Sequence, residues 1–424
     1  MSHQAATQTL SVSMIVIGDE ILNGRTTDLN GSWLSKYLFK KGLEFKSLRF
    51  IRDNVEEINA ALDASFKDSD IVITSGGIGP TLDDKTKNTL AAYFGKKIIE
   101  RADVEPIIED NYIRFGRTWT KETNHYHFFP EDFIATPNPK GLAPGIVYVT
   151  PENKLIMSGP GVPREFTEMV EVEFYPLIKK QFSDRLKENH QTVIRTQGVA
   201  EEKIFFELCP TLWQELEEFG KVSSLPHTIG IDIVISYHGS SEAHSIKTEA
   251  IKKHILKSPL GAHVWQWGNK SLPELVLEKA QKNNKTFAFA ESCTGGLASS
   301  KITDIPGSSA SFFGSIISYD NSVKENLLKV KSETLKSFGA VSIETAKEMA
   351  EGARALINCD YAISISGIAG PSGGSPSKPK GTVAIGFASR EKSGAHLFQF
   401  PGDRIRLKER FSDKALLTLL ELME

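Results

Sequence analysis

Three stretches of this chain carry an apolar run that stops at small residues and gives way to a helical pattern: SVSMIVIG (11–18), DIVITSGG (70–77) and TFAFAESCTGG (286–296). Runs without polar alternation suit strands buried on both faces, the condition inside a parallel sheet covered by helices. After the first run, Leu29, Trp33, Leu34, Tyr37 and Leu38 recur at helical spacing and Gly42 supplies a stop. A strand at 43–51 and a helix near 55–67 follow, and GGIGPTLDDKT then links the second run to the helix KNTLAAYFG. The hairpin GIVYVTPENKLIMSGPG (145–161) and a helix from Pro163 close the segment. The expected architecture for 10–175 is an α/β, three-layer αβα domain with a mostly parallel sheet. Such sheets bind ligands beyond the carboxyl ends of their strands, where both Gly-rich loops lie.

Residues 176–262 read as a small central α+β, KH-like module: TVIRTQGVAEEK and IGIDIVISYHG are strands around one helix containing KIFFELCPTLWQELEEF. The GXXG loop of a nucleic-acid-binding KH module is missing, which points to a structural or dimerising role. The third segment, 268–424, opens on a capping box, Ser271-Leu-Pro-Glu274, and the helix LVLEKAQKNNK. Strand TFAFA, a helix from about Thr294, strand SIISY, a helix near Ser322, helix IETAKEMAEGARALI, strand YAISISG, two more strands (382–389, 395–400) and a terminal helix complete a second α/β layer structure.

A formal charge of −3 gives the 424-residue chain no general attraction to nucleic acid or anionic membrane. No run approaches the roughly 20 apolar residues of a membrane span, and MSHQAATQTLSV lacks the pattern of a signal peptide. Cys209, Cys293 and Cys359 are scattered, with neither disulfide nor zinc spacing. A cytoplasmic location is the expectation.

Two acidic pairs, Asp19-Glu20 and Asp83-Asp84, fall in loops at the same end of the first sheet. Converging carboxylates suit a hard cation such as Mg²⁺ or Mn²⁺, and the backbone of SGGIGPT before a helix can cradle a phosphate. Helix caps and loop turns are the plain alternative. MIVIGDEILNGRTTDLNGSWLSKYL, DIVITSGGIGPTLDDKT, APGI (143–146) and SGPGVPREFTEM (158–169) resemble the N-terminal domain of the CinA family, related to molybdopterin-binding proteins. The resemblance implies metal-dependent hydrolysis of ADP-ribose to AMP and ribose 5-phosphate. Asp19, Glu20, Asp83 and Asp84 are then the metal positions, and Asn30, Gly76, Gly77, Gly79 and Thr81 bind substrate. Leu142 departs from the family, where Thr is common before APG, and removes a hydroxyl there.

In FAFAESCTGG a strand turns into a helix at Ser292, exposing a hydroxyl beside unpaired helix N–H groups. The alternative is a helix cap. A serine nucleophile needs a base, and the nearest His of this segment, His396, sits in a strand-like run. In SYDNSVKENLL, Ser322 and Glu325 suggest a capping box that puts Lys324 in a first helical turn, where the dipole disfavours its ammonium form. A solvated surface lysine is the alternative. AESCTGGLASSKITDIPGSSASFFGSIISYDNSVKENLL, GAVS, SISGIAGPSGG and KPKGTVAIGFA resemble the C-terminal CinA domain. The resemblance implies deamidation of nicotinamide mononucleotide (NMN) to nicotinate mononucleotide and ammonia, with no cofactor. Ser292 becomes the nucleophile, and Lys324 the base with help from Tyr319. Cys293 is an inert neighbour. Thr294, Gly295 and Gly296 hold the oxyanion or the phosphate. Gly367 and Gly370 line the nucleotide, and Arg404 meets its phosphate. Lys408 stands where relatives can carry a second Arg and gives up bidentate geometry.

The chain is thus expected to be a two-activity enzyme of pyridine-nucleotide salvage that takes NMN and ADP-ribose, and the family resemblance implies a homodimer. A nucleotide- or pterin-binding N-terminal module without turnover is a competing reading. So is a nucleic-acid accessory protein, which the charge and the missing GXXG loop oppose.

Overall fold

The computed structural model describes residues 9–81 and 84–424. The chain folds into two compact units, one running to residue 191 with 236–247, the other comprising 192–235 and 248–424. Among the described residues no helix is long and apolar enough to cross a membrane.

The first unit contains β1 (Ser11–Ile17), β2 (Glu44–Ile51), β3 (Ile71–Ser75), β4 (Ile98–Glu100), β5 (Phe128–Pro130), β6 (Ile134–Thr136), β7 (Gly145–Val149) and β8 (Leu155–Gly159). Six of them form one sheet in the order β2-β1-β3-β8-β7-β6. The pairs around β1 and β3 are parallel, and the expected hairpin β7–β8 and β6 are antiparallel. Period-two alternation sends successive β1 side chains to opposite faces, and both faces are covered, so β1 is buried throughout. Val12, Met14 and Val16 enter one core with Leu34 and Leu38 of helix Asn30–Lys40. Ile15 and Ile17 enter the other with Ile58 and Leu62 of helix Val55–Asp68. Each such side chain contributes about 1.5–3 kcal/mol by burial, and the two cores make the three αβα layers.

The second unit holds two sheets. The smaller, in the order β10-β11-β9-β12, uses β9 (Asn189–Thr196), β10 (Lys221–Pro226), β11 (Ile231–His238) and β12 (Val264–Trp267). The single helix expected over KIFFELCPTLWQELEEF is two helical pieces, Lys203–Leu208 and Leu212–Glu217. Pro210 lacks an N–H, and its ring collides with the preceding turn. The larger sheet, β14-β13-β15-β16-β17, uses β13 (Phe287–Glu291), β14 (Phe312–Ile317), β15 (Tyr361–Gly367), β16 (Thr382–Ala388) and β17 (Ser393–Gln399). Phe287 and Phe289 pack against helices Leu272–Lys282 and Arg404–Leu422. Ala288 and Ala290 face helix Ile343–Ile357 on the other side. The Ser271–Glu274 capping box forms as expected.

The loop after β3 depends on one glycine. Gly76 has φ +107, and a Cβ there would lie 2.1 Å from the Ile17 carbonyl oxygen. Its N–H donates to Gly159 O at 3.0 Å, linking this loop to β8. Gly76→Ala must shift backbone, and we expect it to destabilise the first unit by about 2–4 kcal/mol, read as an earlier transition in urea.

Candidate active site

At the end of β13 a carboxylate organises the turn. Glu291 is fully buried. Its Oε2 accepts from Gly296 N (2.9 Å) and Ala298 N (3.2 Å), and its Oε1 accepts from Ser299 N (2.9 Å) and from the Ser299 hydroxyl. These are orphan N–H groups of helix Leu297–Thr303, and a negative charge at a helix N-terminus is favourable. The helix therefore starts three residues later than the expected Thr294. Gly295 and Gly296 absorb the turn with φ +63 and +97.

Ser292 follows directly, with its N–H on Ile365 O at 2.9 Å, so the β13–β15 ladder sets its backbone. Cys293 packs into the apolar core, and burial pushes its thiol up to about 12, which keeps it un-ionised at neutral pH. Two of the three residues expected to hold an oxyanion are engaged otherwise. The Gly296 N–H serves Glu291, and the Gly295 N–H donates to Ser292 O at 3.2 Å. Thr294 keeps a buried hydroxyl with no partner.

Lys324 reaches Ser292 from helix Asn321–Asn326. The expected capping box does not form: Asp320 caps this helix, accepting from Ser322 N at 2.9 Å, and Glu325 instead accepts from Ser332. Lys324 thus lies beyond the positions where N-cap geometry acts most strongly. It is only 1% exposed, and this burial holds its amine below the ordinary lysine range, partly opposed by Asp320 and Cys293. Its Nζ sits 2.7 Å from Ser318 O, 3.2 Å from Tyr319 O and 3.3 Å from Ser292 Oγ. A neutral amine has two N–H groups and one lone pair. Two carbonyls satisfy the donors and leave the lone pair for the serine O–H.

The Tyr319 side chain does not join this pair. It is 63% exposed, and its hydroxyl lies 3.4 Å from Arg404 Nη2; only its carbonyl meets Lys324. Arg404 also donates to Gly370 O at 2.6 Å, placing its guanidinium against the loop that contains Gly367 and Gly370. Lys408 lies one turn further along the same helix. Exposed His396 sits on β17, stacked on Phe387.

In the first unit, Gly77 and Gly79 line a cleft of about 420 Å³ with Asp84, Leu142, Gly161 and Glu165. Asn30 ties its walls together, donating to Ser75 Oγ (2.7 Å) and Gly161 O (2.9 Å). The expected convergence of carboxylates is not seen: among the described residues no group of three or more His, Cys, Asp or Glu comes together. Asp84 turns back onto the Thr81 N–H and hydroxyl, Asp19 lies 3.6 Å from Arg52 Nε, and Glu20 folds over Gly18. Asp83 lies outside the described residues. These donors do not fit a divalent cation held by the described acidic residues. Sequence reasoning missed Arg117, Lys140 and Arg164, which line the cleft with Phe115 and Tyr126. They are far apart in the chain and belong to no motif.

The fold and site define an α/β protein that carries a buried Ser–Lys pair in one unit and a Gly-rich, cation-lined cleft in the other. Residues 13–180 match the family described as "Probable molybdopterin binding domain", and 269–423 match the CinA C-terminal domain. A "Putative competence-damage inducible protein" of Thermoanaerobacter pseudethanolicus is 35% identical over 400 residues, 94% of each chain. A "CinA-like protein" of Chloroherpeton thalassium is 34% identical over 417 residues, 97% of this chain and 98% of its own. The crystal structure of competence/damage inducible protein CihA from Agrobacterium tumefaciens matches 37% of this chain and 98% of its own, at 34% identity and a TM-score of 0.36. The chain belongs to the CinA family.

Replacing Glu291 by Gln puts an NH₂ group among donors that need an acceptor. We expect a loss of about 1–3 kcal/mol from the second unit, seen in thermal unfolding, and a smaller loss for Ser299→Ala.

Proposed function

We propose that the second unit hydrolyses the carboxamide of nicotinamide mononucleotide, releasing ammonia and nicotinate mononucleotide. The observation that carries this reading is the buried Lys324 Nζ at 3.3 Å from Ser292 Oγ, with no other acid–base side chain hydrogen-bonded to that hydroxyl among the described residues. Desolvation shifts Lys324 toward the neutral form that a general base requires. Lys324 takes the serine proton as Oγ attacks the carboxamide carbon, forming a C–O bond and a tetrahedral oxyanion. Collapse breaks the C–N bond, and the proton on Lys324 passes to the departing nitrogen, which leaves as ammonia. Water, deprotonated by the same amine, then cleaves the ester and restores Ser292. Arg404 and Lys408 suit the nucleotide phosphate, with Tyr319 as part of the substrate wall beside Arg404.

For ammonia release from NMN, Ser292→Ala and Lys324→Met should each lose about 10³-fold or more in kcat. Cys293→Ala should stay within about a factor of two. Wild-type activity with equal activity in Ser292→Ala would refute the assignment; a dead Cys293→Ala would transfer it to the thiol. Tyr319→Phe should raise KM more than it lowers kcat, because its hydroxyl lies beside Arg404 and away from the Ser–Lys pair. The base works only when deprotonated. The rate should therefore be low in acid and rise as pH passes through the Lys324 pKa, reaching its plateau below the ordinary lysine value of about 10.4.

A second reading concerns the first unit. Arg117, Lys140 and Arg164 face the cleft without an ion-pair partner among the described residues, and an aromatic residue, Phe115, lies beside them. That chemistry favours a phosphate ester of an aromatic nucleoside, which ADP-ribose is. Incubation with ADP-ribose, with and without Mg²⁺ or Mn²⁺, should release AMP, and Arg117→Ala with Arg164→Ala should raise KM about tenfold or more. Binding without AMP release would reduce the unit to a nucleotide-binding module.

A further inference from the structure

The cleft of the first unit holds a carboxylate that binding of a phosphate does not use. Glu165 lies in the first turn of helix Pro163–Met169, half-buried, and lines the cleft together with Arg117, Lys140 and Arg164. None of these cations is ion-paired with it among the described residues. A neutral group holds it instead: Asn138 Nδ2 donates to Glu165 Oε2 at 2.9 Å. Asn138 is fully buried and is fixed in turn, with its backbone N–H on Asn111 Oδ1 at 3.0 Å and its Nδ2 also on Ala143 O at 3.0 Å. The neighbouring loop is shaped around the acid. A Cβ at Gly141 would stand 1.8 Å from Glu165 Oε2, so a side chain there would push the carboxylate away. Glu165 Oε1 has no hydrogen-bond partner among the described residues and is left for a ligand. Asp84, the other acid of the cleft, bonds within its own loop at Thr81.

A carboxylate accepts hydrogen bonds and donates none, and it repels phosphate oxygens. In a cleft for a phosphorylated nucleoside it calls for the hydroxyl groups of the ligand, and acids meet the ribose 2′-hydroxyl in this way in dinucleotide sites. Phe115 lines the same cleft and offers a ring face to the base. We propose that Glu165 is the specificity residue of this cleft, accepting from the ribose 2′-hydroxyl, so that the site takes ribonucleoside diphosphates and rejects their 2′-deoxy forms. The cations hold the diphosphate, and Asn138 and Gly141 keep the acid in place. A site built to hydrogen-bond a hydroxyl discriminates strongly against the analogue that lacks it. The role rests on the nucleotide reading of the cleft and holds whether or not the nucleotide is hydrolysed.

The full chain is titrated by calorimetry with ADP, 2′-deoxy-ADP and inosine 5′-diphosphate, and AMP release from ADP-ribose is measured in parallel. ADP should bind about tenfold or more tighter than 2′-deoxy-ADP, the scale of one hydrogen bond to a charged group, and inosine diphosphate should bind like ADP. Glu165→Ala should weaken ADP and bring that ratio near one. Gly141→Ala, which keeps the charge and displaces the carboxylate, should lower the same ratio, so a folding defect in one variant does not decide the result. Arg117→Ala should weaken all three ligands alike, which locates them in this cleft. Failure of ADP to bind at millimolar concentration, a wild-type ratio near one, or a ratio that survives in Glu165→Ala overturns the proposal. Selective loss of inosine diphosphate also overturns it, by giving the acid to the adenine amino group. AMP release without a 2′-hydroxyl preference would remove this role and leave the pyrophosphatase reading standing. The preference without AMP release would do the reverse.

Discussion

A carboxylate with no cation beside it holds the second unit's reactive turn together. Glu291 collects three backbone N–H groups and one hydroxyl in a place closed to water. Buried carboxyl oxygens are tolerable there because the donors of the Gly296–Ser299 turn point at them. The same arrangement leaves Ser292 next to the helix without letting it act as the cap. A helix-capping serine would spend its hydroxyl on a backbone amide. Here the acid does the capping, and the hydroxyl is left for the lysine.

Lys324 depends on the opposite effect. No carboxylate bonds its Nζ; two carbonyls and a hydroxyl surround it in a buried position. Desolvation therefore outweighs the opposing pull of Asp320 and Cys293 on the ammonium form, and the neutral form gains.

Much of this organisation is legible in the sequence. Runs rich in apolar and β-branched residues at 11–17 and 71–75 announced two-faced burial, and both strands feed cores on both sides of their sheet. Ser292 and Lys324 were also legible, because a strand-to-helix turn rich in Gly and a motif that resembles a known family stand in the local order of residues. Other features were not. The capping role of Asp320, the outward Tyr319 hydroxyl and the late helix start at Leu297 each result from a hydrogen bond chosen among near-equal local options. Asp84 stands among the metal positions that the acidic pairs suggest and the resemblance implies, yet its carboxylate closes on Thr81 three residues away.

The sequence by itself determined the layered α/β architecture, the placement of Gly-rich loops at strand ends, and the turn that carries Ser292 together with the helix that carries Lys324. These depend on side-chain periodicity and on residues near one another in the chain. Only the tertiary structure decided which groups meet across long separations: Arg404 with Gly370 and Tyr319, the three cations of the first cleft, and Arg195 with Asp232 in the second unit. Such meetings depend on how strands register and helices pack, and packing energy is spread over too many weak contacts to be read from any one stretch.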